Sequence, residues 1–271
     1  MKKVVSFCLW GNNPHYIEGA FTALASALER YPGWEPWIYL AEDVAENVAA
    51  MLASKGAIII RMNRQEWDSQ NHKSQNLQFL PAFWRFLPAS DPNVEILLVR
   101  DLDSPITFRE VAAVNEWISS DKPFHIMRDH PKHEYPILAG MWGCRTKILR
   151  DMAHLVRKWK RFDYYGCDQK FLGTVVYPRI HKQVWVHSEC IMFPGEFLHP
   201  FPASSPDVEF IGISHTGDDE RLHLQLRYLR EWIETGKPVY LRPLPWSFWG
   251  VVRMYSRGKW PKNKSFPAIA P

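Results

Sequence analysis

The stretch that decides the fold is Val94-Glu95-Ile96-Leu97-Leu98-Val99-Arg100-Asp101-Leu102-Asp103-Ser104. It is an apolar run that ends in two carboxylates one residue apart, with Asp91-Pro92-Asn93 before it and Pro105 after it. A short apolar run between turn-forming residues predicts a buried strand of an α/β sheet. Ligands of such sheets gather outside the carboxyl ends of the strands, so the two acidic residues are expected at a cleft.

The spacing of Asp101 and Asp103 favours a metal site. Alternate residues of an extended chain point the same way, so both carboxylates can approach one cation while Leu102 packs backwards. A divalent cation held in this way suits a diphosphate. The alternative is structural, because Asp residues that end strands also form turns and cap helices.

The composition predicts one large α/β domain with a decorated C-terminus, since the chain has 271 residues, of which 46% are hydrophobic and 23% charged. No apolar run approaches the length of about 20 residues that spans a bilayer. Residues 4–10 are interpreted as a first strand rather than a signal peptide, which predicts a cytoplasmic protein. The four cysteines are scattered, which indicates buried thiols rather than a zinc site or a disulfide framework.

The first sixty residues predict a βαβαβ unit with parallel strands and right-handed crossovers. The predicted strands are Lys2–Trp10, Trp34–Leu40 and Ala57–Ile60, and the predicted helices are His15–Glu29 and Val44–Ser54. The first turn, Gly11-Asn12-Asn13-Pro14, lacks the G-x-G-x-x-G pattern, which disfavours a Rossmann dinucleotide site. Asn12 and Asn13 either contact a nucleobase or ribose through their amides or serve only the turn.

Arg85 is the second candidate residue. Residues 65–75 are polar and aperiodic and predict a loop, whereas Leu77–Leu87 has apolar residues at helical spacing. Within that helix Arg85 lies between Trp84 and Phe86, just before the acidic strand. Its guanidinium is either solvated, like most helical arginines, or turned towards a phosphate.

Two glycines flank Met141 and Trp142, with Gly140 on one side and Gly143 on the other. Glycines let the backbone come close to a ligand, and an aromatic ring there can stack on the apolar face of a sugar. The alternative is a core strand with a bulge.

Asp168 is predicted near the start of a helix, where a carboxylate either caps the free N–H groups or, if the helix points at the cleft, holds a sugar or takes part in catalysis. Helices are predicted at 107–119 and 145–159, and strands at 183–186 and 210–214. In the first of these, Thr107 and Glu110 have the spacing of a capping box. His215 follows the last strand and is a candidate third metal ligand, since imidazole is acceptable to Mn²⁺.

The segment from Leu241 to Pro271 has a composition of its own. It contains six Lys and Arg residues and no acidic residue, interleaved with aromatic side chains. This composition favours an anchor on an anionic membrane surface. Aromatic packing onto the domain is the alternative, and single-stranded nucleic acid is a weaker one. The modest net charge of +4, concentrated at this end, also argues against a nucleic-acid groove.

Taken together, the Phe83-Trp84-Arg85-Phe86 helix, the strand into Asp101-Leu102-Asp103, the glycine-flanked Met141-Trp142 and the helix opening at Asp168-Gln169 resemble a GT-A glycosyltransferase. The similarity is to the galactosyltransferase and glycogenin group and to related bacterial polysaccharide enzymes, over roughly residues 2–220. The resemblance implies that Asp101 and Asp103 are the D-x-D motif, which binds Mn²⁺ and the donor diphosphate. It also implies that Arg85 helps to hold the nucleotide sugar and that Asp168 and Gln169 lie beside the donor sugar.

His215 resembles a late histidine of that family which serves as third metal ligand. The Lys-Pro-Trp segment that follows it in the family is replaced here by Thr216-Gly217-Asp218-Asp219.

We therefore expect a single GT-A domain over residues 1–240, with a mainly parallel sheet and helices on both faces, and a basic aromatic extension over 241–271. The expected activity is metal-dependent transfer of a sugar from a nucleotide-diphosphate sugar, with UDP implied by the resemblance, to a glycan or lipid-linked acceptor in surface polysaccharide synthesis at the inner membrane face. Mn²⁺ or Mg²⁺ is the expected cofactor, with Asp101, Asp103 and His215 as ligands, and Asp168 and Gln169 are the expected catalytic residues. Donor binding is assigned to Trp10, Gly11, Asn12, Arg85, Asp101, Leu102, Asp103, Gly140, Met141 and Trp142.

Two other classes remain open. A metal-dependent nucleotidyltransferase or phosphohydrolase also places paired Asp residues at a strand end. A non-catalytic module that binds a membrane surface or a glycan would use the acidic pair only structurally.

Overall fold

The computed structural model describes residues 1–69, 76–203, 210–214 and 219–243. The strands are β1 (Lys2–Leu9), β2 (Glu35–Ala41), β3 (Ile58–Met62), β4 (Val94–Arg100), β5 (Phe124–Arg128), β6 (Met141–Arg145), β7 (Val184–Ser188), β8 (Ile191–Met192), β9 (Leu198–His199) and β10 (Tyr240–Leu241). The α-helices are α1 (Pro14–Arg30), α2 (Glu46–Ser54), α3 (Arg64–Ser69), α4 (Pro81–Trp84), α5 (Phe108–Ser119), α6 (Met152–Lys158), α7 (Cys167–Phe171), α8 (Tyr177–Ile180) and α9 (Asp219–Glu234).

Eight strands form one sheet in the order β3-β2-β1-β4-β6-β5-β7-β9, and β8 pairs with β10 beside it. Strand β6 runs antiparallel to both of its neighbours, and the other pairs in the large sheet are parallel. The exception arises because β6 follows β5 without an intervening helix, so the chain reverses instead of crossing over. The predicted fold class, a mainly parallel α/β sheet with helices on both faces, is confirmed.

A separate hydrophobic core covers each face of the sheet. On β4, Leu97 and Val99 enter the core shared with α4, α6, α7 and α9, whereas Ile96 and Leu98 enter the core shared with α1, α2 and α5. This alternation is the reason for the continuous apolar run, because a strand covered on both faces has no polar side. The run ends at Arg100, so Asp101 emerges at the carboxyl edge of the sheet between β1 and β6.

Two segments differ from the predicted elements because of capping residues and prolines. Part of the predicted loop at 65–75 is the short helix α3, which Asn63 caps by accepting hydrogen bonds from the backbone N–H groups of Gln65 and Glu66. The predicted helix Leu77–Leu87 is broken into α4 and the 3₁₀ turn Leu87–Ser90. Pro81 and Pro88, which have no N–H group to donate, are the first residue of α4 and the second residue of the 3₁₀ turn.

Two further predictions were wrong about regular structure. The predicted helix at 145–159 begins as the end of β6, continues as the 3₁₀ turn Thr146–Leu149 and becomes helical only in α6. Residues 210–214 form a turn rather than a strand, because Gly212 has a φ of +87° and the N–H of Ile213 bonds back to the carbonyl of Phe210.

No helix in the described ranges is long and apolar enough to cross a bilayer. The predicted extension begins inside β10, where Leu241 is in register with Met192 of β8. Its residues 244–271 lie outside the described part of the chain.

Candidate active site

Arg85 lies between two of the predicted carboxylates. Its Nη1 donates to Asp101 Oδ1, and its Nη2 donates to Asp168 Oδ2 at 2.9 Å. The Arg85 side chain is only 7% exposed. The fold therefore brings together three residues from separate elements, the ends of α4 and β4 and the start of α7. The sequence predicted each of them, but not the ion pairs that join them.

Asp168 is the most buried carboxylate of this group, with its side chain 11% exposed. Gly166, with a φ of +79°, turns the chain into α7, so Asp168 lies in the first turn and its Oδ1 accepts the N–H of Gln169 at 2.8 Å. Burial raises the pKa of Asp168 above its usual range, while the Arg85 guanidinium opposes the rise. A raised pKa lies closer to neutral pH, so this carboxyl group is better suited to exchanging a proton than an exposed aspartate.

Asp101 remains open to solvent on the other side of Arg85, with its side chain 42% exposed. Gly140 provides the space for it. A Cβ atom on Gly140 would lie 2.1 Å from Asp101 Oδ2 and 2.7 Å from the backbone nitrogen of Asp101. Gly140, which was expected to make room for a ligand, therefore makes room for the Asp101 carboxylate.

The rest of the acidic turn is held against α1. Leu102 is 5% exposed and packs into the core under this helix, as the alternation predicted. A Cβ atom on Gly19 of α1 would lie 3.0 Å from the Cα of Asp103 and 3.1 Å from the carbonyl oxygen of Leu102. Asp103 is half-buried, so its position depends on the close approach of the helix backbone.

Two of the side chains at this turn are suitable ligands for a hard divalent cation. Asp101 and Asp103 supply carboxylate oxygens, which Mg²⁺ and Mn²⁺ prefer. Among residues 1–69, 76–203, 210–214 and 219–243, no three His, Cys, Asp or Glu side chains lie close enough to share a metal ion. The predicted ligand His215 lies outside these ranges. Two carboxylates fit the mode in which Mg²⁺ takes its remaining ligands from water and substrate phosphate.

Cys8 is a neighbour that the sequence did not single out. It lies near the end of β1, and its thiol is oriented towards the carbonyl of Ala82. Burial raises the pKa of Cys8 to about 12, with Arg85 opposing the rise. The thiol is therefore protonated at neutral pH, which excludes a thiolate nucleophile at this position.

The turn after β1 holds three of the predicted donor-binding residues. Gly11 has a φ of +73°, and its N–H donates to Asp43 Oδ1 at 2.7 Å. Asn13 caps α1 by accepting the N–H of His15 at 3.0 Å, which is the turn role, whereas Asn12 is exposed. The role of Asp43 was missed, because its contact with the turn depends on the parallel pairing of β1 with β2.

A cavity of about 510 Å³ opens at the carboxyl ends of β2 and β3, where Glu42 and Val44, the chain neighbours of Asp43, line it. Its lining is mostly charged and polar, and consists of Glu42, Val44, Glu46, Arg61, Met62, Asn63 and Glu66.

The position of Trp142 contradicts the prediction that its ring stacks on a sugar. Its side chain is 0% exposed, and its ring is stacked on Phe124 at a centroid distance of 5.2 Å and packed against Phe86 at 5.6 Å. The expected stacking of this ring on a sugar is therefore wrong. The core-strand alternative is correct, except that β6 pairs with β4 in continuous register, without the expected bulge. Met141 is also buried, with its sulfur 2.9 Å from where a Cβ atom on Gly212 would lie.

The remaining predicted donor residues lie around this group. Trp10 is half-buried against the core that also holds Cys8, and Gln169 is half-buried directly after Asp168.

The sequence matches no family model and no curated protein. Similar solved structures include a glycosyltransferase involved in the glycosylation of the major capsid of PBCV-1, with 16% identity, a TM-score of 0.45, and coverage of 70% of this chain and 85% of that one. The 4-diphosphocytidyl-2C-methyl-D-erythritol synthase of Anaerococcus prevotii has 14% identity and a TM-score of 0.47, covering 84% of this chain and 96% of that one.

A third structure is the glucosyl-3-phosphoglycerate synthase of Mycobacterium tuberculosis in complex with Mn²⁺, uridine diphosphate and phosphoglyceric acid. It has 10% identity and a TM-score of 0.46, and the match covers 88% of this chain and 79% of that one. At these identities, and with TM-scores below 0.5, the matches carry no argument about activity. The function is inferred from the residues of this chain.

Proposed function

We propose that this protein is a GT-A-type glycosyltransferase that transfers a sugar from a nucleotide-diphosphate donor, UDP-linked by the resemblance of its sequence, to a glycan or glycolipid acceptor. The observation that carries the proposal is the group formed by Arg85, Asp101 and Asp168 at the carboxyl edge of the sheet. It combines a buried cation, a solvent-facing carboxylate and a buried carboxyl with a raised pKa. This edge is also where ligands of open α/β sheets bind.

The chemistry of sugar transfer assigns a role to each residue. A diphosphate leaves while positive charge builds on the anomeric carbon. Asp101 and Asp103 would hold a divalent cation, which when bound would neutralise charge on the leaving diphosphate. Arg85 adds a fixed positive charge beside the same phosphates. Asp168 stabilises the developing cation at the sugar or accepts a proton from the acceptor hydroxyl.

We assign the nucleoside of the donor to the carboxyl ends of β1, β2 and β3, on the other half of the same sheet edge. The turn Trp10-Gly11-Asn12 is tied to Asp43 through the N–H of Gly11. The chain neighbours of Asp43, Glu42 and Val44, line the 510 Å³ cavity at the ends of β2 and β3. Carboxylates at this position can accept hydrogen bonds from ribose hydroxyls, as the acidic residue after the second strand does in dinucleotide-binding sheets.

The direct test is a screen of nucleotide sugars by thermal shift with and without Mn²⁺. Mass action predicts that a donor raises the unfolding temperature, and that Mn²⁺ increases the effect. A screen in which no nucleotide sugar shifts the transition of the wild-type protein would overturn the proposal.

Product analysis separates transfer from the rival activities. A transferase releases nucleoside diphosphate and forms a glycosylated acceptor, whereas a nucleotidyltransferase releases pyrophosphate and a phosphohydrolase releases phosphate without needing an acceptor. Hydrolysis of the donor without acceptor must be subtracted.

We infer further that the basic aromatic segment 241–271 brings the enzyme to an anionic membrane surface. Support comes from its composition, since its six Lys and Arg residues are interleaved with aromatic side chains and it has no acidic residue. Sedimentation with anionic liposomes tests this. Deletion of residues 244–271 should abolish binding, and unchanged binding would remove the anchor.

A further inference from the structure

Exposed aromatic rings lie on the chain segments that carry Arg85 and Asp168, and on the loop between β5 and β6. Tyr165 is 73% exposed and Tyr135 43% exposed, and Phe79 is half-buried. Exposed rings of this size are costly to leave in water, so several near one site suggest a ligand that covers them.

The rings are fixed to the ion pair by the elements that carry it. Phe79 and Arg85 lie on one segment, and Tyr165 and Asp168 on another. The two segments are joined by the hydrogen bond from the N–H of Phe79 to the carbonyl of Phe162, at 2.9 Å. The Phe79 and Tyr165 rings meet edge to face, with their centroids 6.3 Å apart.

Aromatic packing beneath this pair makes the arrangement rigid. Phe83 of α4 packs edge to face against Phe162 at 4.9 Å and against Phe171 of α7 at 5.5 Å. The rim above the core is therefore held in place by the same contacts that position Arg85 and Asp168.

Tyr135 approaches from the loop between β5 and β6. Its neighbour Pro136 lies 3.6 Å from where a Cβ atom on Gly173 would be, so the loop packs on the helical segment that begins with α7. Burial and then Cys167 raise the pKa of Tyr164, and the Tyr135 phenol adds to the rise, which agrees with a position on the same rim.

Polar groups lie beside Tyr164, the chain neighbour of Tyr165. Arg161 donates to Asp163 at 2.9 Å, and both side chains are about half exposed. The Arg161 guanidinium lies 5.2 Å from the centre of the Tyr164 ring. The exposed face of one aromatic ring, edged by charged hydrogen-bonding groups, matches a sugar ring, which has an apolar C–H face and a rim of hydroxyls.

We propose that Phe79, Tyr135 and Tyr165, with Arg161 and Asp163 at their edge, form the subsite for the acceptor sugar. This assignment of the sugar as acceptor rests on the proposed function, because Tyr165 lies on the segment that carries Asp168, the residue proposed to take the proton of the acceptor hydroxyl. The acceptor hydroxyl then loses its proton to Asp168 as its oxygen bonds to the anomeric carbon and the nucleoside diphosphate leaves.

The test is saturation-transfer NMR with the full-length protein and lactose, maltose and cellobiose as probes. At least one of them should bind the wild-type protein. Tyr165→Ala should weaken that binding about tenfold, since loss of one stacking contact is worth roughly 1.4 kcal/mol. Tyr165→Phe, which keeps the ring, should bind within about twofold of wild type.

Phe108→Ala is the matched control, because Phe108 is also highly exposed, at 72%, but begins α5 on the opposite face of the sheet. It should leave disaccharide binding unchanged. Failure of all three disaccharides to bind, or equal binding by Tyr165→Ala and wild type, would overturn the subsite.

Donor binding, followed separately by thermal shift, keeps the two proposals apart. If nucleotide sugars bind and the disaccharide result fails, only the subsite is wrong. If disaccharides bind as expected and no nucleotide sugar does, the proposed transferase is wrong and the rim is a glycan site of another kind.

Discussion

At the scale of single residues, the site depends on the pairing of Arg85 with the carboxylates of Asp101 and Asp168. Burial alone would lower the pKa of Arg85, but the carboxylates of Asp101 and Asp168 raise it above its usual value, so the guanidinium stays charged. A charged group in this position is stable only while its partners remain, because a buried charge without partners costs several kcal/mol. The position of the Asp101 carboxylate against Arg85 is therefore as important for the site as the presence of an acidic residue.

Gly140→Ala tests that geometry. The added methyl group would overlap the Asp101 carboxylate and approach its backbone nitrogen, so the carboxylate must leave Arg85. We expect sugar transfer to fall by more than about tenfold, with a loss of about 1–3 kcal/mol in the free energy of unfolding. Steady-state kinetics and urea denaturation measure the two effects.

Gly173→Ala is the control for this substitution. Its methyl group would make an ordinary contact of 3.6 Å with Pro136 and requires no positive φ. Should Gly140→Ala behave like Gly173→Ala in both assays, the close packing of Asp101 against β6 has no functional role.

Trp142 provides the contrasting case of a residue that belongs to the core. Trp142→Ala should lower the free energy of unfolding by about 3–5 kcal/mol, whereas Trp142→Phe should lower it much less and keep donor affinity. Denaturation and donor titration check this. Loss of donor affinity in a well-folded Trp142→Phe protein would restore a direct role for the indole.

At the scale of elements, α5 is attached to β4 by a contact that its sequence pattern did not predict. Thr107 accepts the N–H of Glu110 at 3.1 Å, as a capping box requires. The Glu110 carboxylate does not return to the cap, because it accepts from Arg100 at 2.6 Å and from the Tyr31 hydroxyl at 3.1 Å. Glu110 is 2% exposed and Arg100 is 3% exposed, so this is a buried ion pair.

The two residues should therefore differ in their effect on stability. Glu110→Gln leaves Arg100 without its buried counter-charge and should cost about 3–5 kcal/mol. Thr107→Ala removes only the cap and should cost about 1 kcal/mol. Urea denaturation of both variants compares them directly, and equal losses would show that the ion pair contributes no more than the cap.

The helices and strands also show which sequence patterns were sufficient to predict the position of a residue. Asp101 was placed at a strand end because β4 is apolar on both faces and its limits are marked by turn residues. The aromatic at Trp142 was misassigned because a glycine-flanked ring has the same local pattern in a core strand and in a ligand site. Only the long-range packing of Phe86 and Phe124 distinguishes them.

Other features were hidden for the same reason. Arg85 and Asp168 are 83 residues apart in the chain, and their 2.9 Å contact depends on how α4 and α7 pack. Asp43 reaches Gly11 only through the parallel pairing of β1 with β2. The sequence could predict elements and candidate residues, but contacts between distant segments required the fold.

For the whole molecule, a buried histidine pair makes stability depend on pH. His125 Nε2 and His187 Nδ1 lie 2.7 Å apart between β5 and β7, and both side chains are 0% exposed. Burial lowers the pKa of His187 to about 4, with Glu116 opposing the shift, and lowers that of His125 well below its usual value. The folded protein therefore keeps both imidazoles neutral over a range where the unfolded chain is protonated.

Stability should fall as the pH drops below about 6.5, because there the unfolded state binds more protons than the folded state. Each histidine contributes a slope of up to about 1.4 kcal/mol per pH unit until the pH reaches its folded pKa. Urea denaturation between about pH 7 and pH 5 measures the slope.

A double variant, His125→Gln with His187→Gln, should have a smaller slope than wild type. His154→Gln is the control, since His154 is exposed on α6. Asp129 and Asp168, whose pKa values are raised mainly by burial, act in the opposite direction but are present in every variant. An unchanged slope in the double variant would contradict the assignment to this pair.

The carboxylate of Asp101 is the group on which the whole account depends. Calorimetric titration of the nucleotide sugar selected by the screen, in the presence of Mn²⁺, should give binding to the wild-type protein and at least about a tenfold loss of affinity in Asp101→Asn. Circular dichroism should show that the variant is folded, and Glu95→Gln, an exposed change on the same strand, should bind like wild type. Equal donor affinity in Asp101→Asn and wild type would contradict the claim that this edge of the sheet binds a nucleotide sugar.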